Sequence, residues 1–162
     1  MSQRGAQLSG NAFSSVMFVK GEQGPAEKAG GALLSGPDGK ALRAALLALK
    51  YSPQDWVALA TWDDAGAPLS AELLRLAVMT LDPATLIACD EAAAQALRDA
   101  FAHDLCELEL LEDALLEPGR VVKVAGMRVL NLGGFEQALA SDRAKQLMWA
   151  RLKQIPPLGE PY

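Results

Sequence analysis

Short apolar runs alternate along the chain with stretches in which leucine and alanine recur every three or four residues. That alternation predicts βαβ units and a mostly parallel sheet covered on both faces. Four strands are expected. Residues 15–20 contain the unbroken run Val16-Met17-Phe18-Val19, as a strand buried on both faces requires. Residues 56–62, 85–89 and 127–132 supply the others. An additional strand at 120–125, joined to the last by Gly126, reads as one arm of a tight hairpin.

The intervals read as helices. Residues 39–50 set Leu42, Leu46 and Leu49 on one face, with Pro37 and Asp38 as start signals and Ser52-Pro53 as the stop. Residues 69–81 and 91–101 have the same character, the second capped by Asp90. A final helix over 141–154 turns Ala144, Leu147, Met148, Leu152 and Ile155 inward, and Pro156-Pro157 ends it. There is no internal repeat, low-complexity segment or long linker, so the expectation is one domain over 1–162 with irregular tails at 1–13 and 156–162. Its expected architecture is a three-layer α/β/α sandwich around a four-stranded, mostly parallel sheet.

Composition narrows the class. At 162 residues, 51% hydrophobic and 22% charged, the chain is too apolar for a disordered segment and long enough to bury about two-thirds of its unfolded surface. No run reaches the roughly 18 uncharged apolar residues of a membrane helix, and residues 1–11 are polar with no signal-peptide run behind them. A cytoplasmic protein without membrane contact is therefore expected. Cys89 and Cys106 are too few to hold a zinc ion or an iron–sulfur cluster. The net charge of −5 argues against nucleic acid as a partner, because phosphate binding is driven by Lys and Arg.

Two segments break the alternation. Residues 21–39 form a loop with Gly21, Gly24, Gly30, Gly31, Gly36 and Gly39, far longer than the usual βα connection and at a strand's carboxyl end, where such folds bind ligands. It does not fit a P-loop: Leu34 stands where glycine is needed and Ala41 where a metal-binding hydroxyl is needed. No Gly-x-Gly-x-x-Gly fingerprint occurs at this turn either. Residues 104–117 hold Asp104, Glu107, Glu109, Glu112, Asp113 and Glu117 without a base. Leu105, Leu108, Leu111 and Leu115 interleave with them, which predicts a solvated helix face. His103, the sole histidine, reads as a helix-end residue with no triad around it, and Cys89 as a small buried hydrophobe.

Three patches, taken together, resemble the uracil-DNA glycosylase superfamily, in particular its bacterial and archaeal branch that carries an iron–sulfur cluster. The first is Val16-Met17-Phe18-Val19 and Gly21-Glu22-Gln23-Gly24-Pro25, followed by the segment from Gly31 to the Gly39-Lys40-Ala41-Leu42 helix start. The second is the helix end, turn and strand over 49–62. The third runs from Gly126-Met127-Arg128-Val129-Leu130 through Gly134-Phe135-Glu136-Gln137-Ala138-Leu139 to the Trp149-containing helix. The patches keep the family's order and spacing over most of the chain.

The resemblance implies where the chemistry would lie. Glu22 stands at the acidic residue that serves the attacking water. Leu34 takes the place of the Phe that stacks on the flipped uracil, and Ala60 that of the Asn that reads the uracil edge. Gly134, Phe135 and Glu136 replace the His-Pro-Ser motif whose His stabilises the departing base. With Gly21 and Gln23 these are the candidate cleft residues, and Glu22 is the sole catalytic candidate. The cluster cysteines are missing, so no cofactor is expected. The expected function is a glycosylase-like protein that has lost base excision and serves as a binding or regulatory module. Its partner would be a protein or a small nucleobase-like ligand, with nucleic acid bound weakly or not at all. The alternative is a divergent DNA base glycosylase or nucleobase-binding enzyme using Glu22.

Overall fold

A computed structural model describes residues 6–11, 14–22, 36–63 and 67–155. Its strands are β1 (Ala6–Gly10), β2 (Val16–Lys20), β3 (Val57–Asp63), β4 (Thr85–Ala88), β5 (Val121–Val124) and β6 (Met127–Asn131). The helices are α1 (Pro37–Ala48), α2 (Ala71–Leu81), α3 (Glu91–Ala100), α4 (Ala102–Cys106), α5 (Leu111–Ala114), α6 (Phe135–Ala138) and α7 (Asp142–Leu152). The strands form one six-stranded mixed sheet in the order β1-β3-β2-β4-β6-β5.

The four strands expected from apolar runs are the parallel centre of that sheet: β2 pairs with β3 and β4, and β4 with β6, all parallel. Both edges are antiparallel. β5 closes the hairpin with β6, and Ala125 and Gly126 supply the two positive φ angles (50° and 85°) that a two-residue hairpin turn of matching twist needs. β1 pairs with β3 inside the stretch expected to be an irregular tail. The four-stranded expectation is thus corrected to six strands. Ala6–Gly10 has one large apolar residue, Leu8, which is 50% exposed, so its strand order comes from backbone pairing with β3 and not from burial. The expected tail at 156–162 lies outside the described residues.

Alternate residues of each central strand enter opposite layers, because strand side chains have a period of two. Phe18, Ala60, Ile87 and Leu130 pack with Leu42 and Leu46 of α1, Phe135 of α6 and Leu152 of α7. Met17, Leu59, Leu86 and Val129 pack with Leu74 and Val78 of α2, and with Ala93 and Leu97 of α3. Helices therefore cover both faces.

Two expected helix faces need correction. Leu147 is 49% exposed rather than inward, since the buried stripe of α7 runs through Met148 and Leu152 and continues to Ile155. The acidic stretch is not one solvated helix but two short ones. Leu105 and Leu116 are buried at its two ends, and Leu111 is left 70% exposed. The break lies at Leu110, whose extended backbone (φ −96°, ψ 132°) separates the two helices.

Candidate functional site

The topology fixes where a site would form. β2 leads to α1 on one face and β4 leads to α3 on the other, so the connections diverge between the carboxyl ends of β2 and β4, the usual ligand crevice of an open α/β sheet. Two polar constructions occupy this place.

The first is built on Lys20, the last residue of β2, which is only 2% exposed. A buried ammonium needs charged or hydrogen-bonding partners. Lys20 Nζ donates to Asp38 Oδ2 and, at 3.2 Å, to Glu136 Oε1. Asp38 sits in the first turn of α1, is itself 2% exposed, and accepts from the Gly39 amide at 2.8 Å through its other oxygen. Glu136, in the first turn of α6, keeps 28% of its side chain exposed. One cation thus ties β2, α1 and α6 together, and the three formal charges sum to −1.

The second is built on Asp90, the N-cap of α3. Its Oδ1 accepts from the Ala93 amide at 2.8 Å, and the carboxylate also accepts from the Gly21 amide at 3.1 Å and the Glu22 amide at 3.0 Å. Burial pushes this carboxyl up from its ordinary value, partly offset by those three amides. The amino end of α3, where an anionic ligand would dock in many α/β proteins, is filled by the chain's own carboxylate. The β2–α3 contact is so close that a Cβ on Gly21 would lie 2.3 Å from the Ala93 nitrogen and 2.6 Å from the Ala92 carbonyl carbon. Both obstacles are backbone. Gly21→Ala is expected to destabilise the fold by about 1 to 3 kcal/mol, read by urea denaturation, since α3 must shift to admit the methyl group.

The candidate residues fall out as follows. Gly21 and Glu22 are brought together at Asp90, and Glu22 is exposed with its amide bonded there. Ala60 is completely buried in the middle of β3, in register with Lys20, and offers no polar group. Gly134 takes a positive φ of 126°, and its amide and that of Phe135 both donate to the Cys89 carbonyl, at 3.2 and 2.8 Å. Phe135 is a core residue at 4% exposure. Glu136 is the Lys20 partner. Gln23 and Leu34 lie outside the described residues. Lys20, Asp38 and Asp90 were not expected as site residues. The available signal was Lys20 itself, a charge ending an apolar run too hydrophobic for an edge strand.

A cleft of about 490 Å³ lies beside these constructions, with Gly21, Thr61, Leu69, Leu74, Ala96 and Asp99 among its walls. His103 and Cys106 are both exposed, away from the strand ends; the imidazole stands 3.8 Å from Glu107, and the thiol donates to the His103 carbonyl at 3.0 Å. Among the described residues no group of three or more His, Cys, Asp or Glu side chains is placed to hold a metal ion, and no helix is long and apolar enough to cross a membrane. No protein-family model and no curated protein matches the chain.

Proposed function

We propose that the chain is a uracil-DNA glycosylase-like α/β/α sandwich that has lost base excision and works in the cytoplasm as a binding or regulatory module, without a cofactor. The observation that carries this reading is the Lys20–Asp38–Glu136 group. Base excision develops negative charge on the departing base, and a preorganised donor at that point is commonly worth roughly 3 to 4 kcal/mol. Where the resemblance expects the donating histidine this chain has Gly134, which has no side-chain donor, and two residues on, in place of the serine, stands the carboxylate of Glu136. Lys20 is buried between the Asp38 and Glu136 carboxylates, and the charge of this group opposes a developing anion.

Base recognition is missing as well. An enzyme that extrudes a base offsets the unstacking with edge hydrogen bonds and stacking. Ala60 is apolar and sealed in the core, so it cannot read a base edge. The anion-binding amides at the start of α3 already serve Asp90. These features favour a protein or a small uncharged or cationic ligand over nucleic acid. A second reading, a divergent glycosylase or nucleobase-binding enzyme using Glu22, draws on one observation: Glu22 is exposed next to the glycine that lines the cleft.

Fluorescence anisotropy with uracil-containing single- and double-stranded oligonucleotides over a salt series tests the partner class. The expected result is no saturable binding even at low salt. Micromolar binding whose logarithm falls steeply with log salt would show several phosphate contacts and overturn the reading.

A further inference from the structure

The cleft between α2 and α3 exists because small residues stand where these elements meet the strand ends. Gly21 follows β2, and Ala92 and Ala96 line the facing side of α3, so none of these three positions extends a large side chain into the space. About 490 Å³ falls in the range of small-molecule sites, and the position at the carboxyl ends of parallel strands is where open α/β sheets bind ligands. Leu69, Leu74 and Pro68 make part of the wall apolar. The polar side chains are Thr61, Gln95 and Asp99, and among the described lining residues Asp99 carries the one charge and no Lys or Arg occurs.

We propose that this cleft binds a small organic cation, an amine carried on an apolar body. The wall chemistry selects for it. Asp99 Oδ1 accepts from the neutral Gln95 amide at 3.1 Å, which orients the carboxylate without cancelling its charge. The neighbouring cation, Arg98, is not among the described lining residues: it donates to Gln95 Oε1 from behind the wall at 2.9 Å, and to the Leu115 carbonyl at 2.6 Å and Glu91 Oε2 at 2.8 Å. An ammonium entering the cleft meets the Asp99 carboxylate and the Thr61 hydroxyl, both acceptors, while its hydrocarbon part covers the leucines. A phosphate meets no cation among the described lining residues and must lose its hydration uncompensated there. The net charge of −5 adds a long-range field of the same preference. The inference rests on reading the chain as a binding module, but it stands or falls on ligand binding alone, whereas that reading is tested on DNA.

The test titrates the full chain with three probes, 2-phenylethylamine, its neutral analogue 2-phenylethanol and inorganic phosphate, and follows amide chemical shifts. The amine is expected to give saturable shifts at Thr61, Gln95 and Asp99 at millimolar concentration. The alcohol is expected to bind about tenfold more weakly, the loss of one charge-assisted hydrogen bond, and phosphate is expected to cause no shift there. Asp99→Asn, an exposed substitution, should lower amine affinity by about the same factor with the circular dichroism spectrum unchanged. Ala96→Phe fills the cleft and should abolish the shifts. No saturable response to the amine, equal affinity for the alcohol, undiminished affinity in Asp99→Asn, or competition by phosphate would each overturn the proposal.

Discussion

Replacing Lys20 with methionine is expected to cost about 3 to 5 kcal/mol of folding stability, because it leaves the Asp38 carboxylate buried without its counter-ion. For a chain of this length that corresponds to a fall in melting temperature of roughly 10 °C or more. Urea denaturation of wild type and variant reads the difference directly. The partners should not be equivalent. Glu136 keeps more than a quarter of its side chain in solvent, so water screens it, and Glu136→Gln should cost less than about 1 kcal/mol. Replacing both buried partners, Lys20→Met with Asp38→Leu, should recover most of the loss, since an apolar pair of similar size needs no charge balance. A Lys20→Met variant as stable as wild type would mean that the group is solvated and does not close the strand ends.

Asp90→Ala is expected to cost about 2 to 4 kcal/mol, more than an ordinary helix cap. A cap alone is worth roughly 0.5 to 2 kcal/mol. Ser70, which caps α2 through the single Leu73 amide, provides the comparison within the same molecule, and Ser70→Ala should fall in that range. Asp90 in addition satisfies the Gly21 and Glu22 amides, and removing it strands donors from the first loop. Asp90→Asn keeps an acceptor in place and should lose far less. Hydrogen exchange locates the effect: in Asp90→Ala the amides of Gly21, Glu22 and Ala93 should exchange faster together. An Asp90→Ala variant no less stable than Ser70→Ala would show that the β2–α3 junction does not depend on this carboxylate.

The parallel centre of the sheet was legible in the sequence because its physics is local. Val16 to Val19 are all buried, and an unbroken apolar run of that length has few other stable placements. The starts of α1 and α3 were legible for the same reason, since Pro37 and Asp90 act within one helical turn. β1 was not legible, because Ala6–Gly10 carries no strand pattern of its own and is ordered by its neighbour β3. The leucines of the acidic stretch misled in the opposite way. Their spacing is helical, but the backbone is extended at Leu110, which divides the segment into two short helices.

The site was legible only as a location. Glu22, Ala60 and Glu136 were reached through the resemblance, but their meaning depends on contacts that no local pattern encodes. Lys20 meets Asp38 across 18 residues and Glu136 across 116. Asp90 meets Gly21 across 69. The cleft is harder still to read, since it is a volume left by small side chains from separate elements.

The proposal that this chain does not excise bases is tested most directly by single-turnover uracil excision from single- and double-stranded oligonucleotides, with the protein in excess. No product above the protein-free background is expected for wild type or for Glu22→Gln. Time-dependent release of uracil by the wild-type chain, abolished in Glu22→Gln, would contradict it.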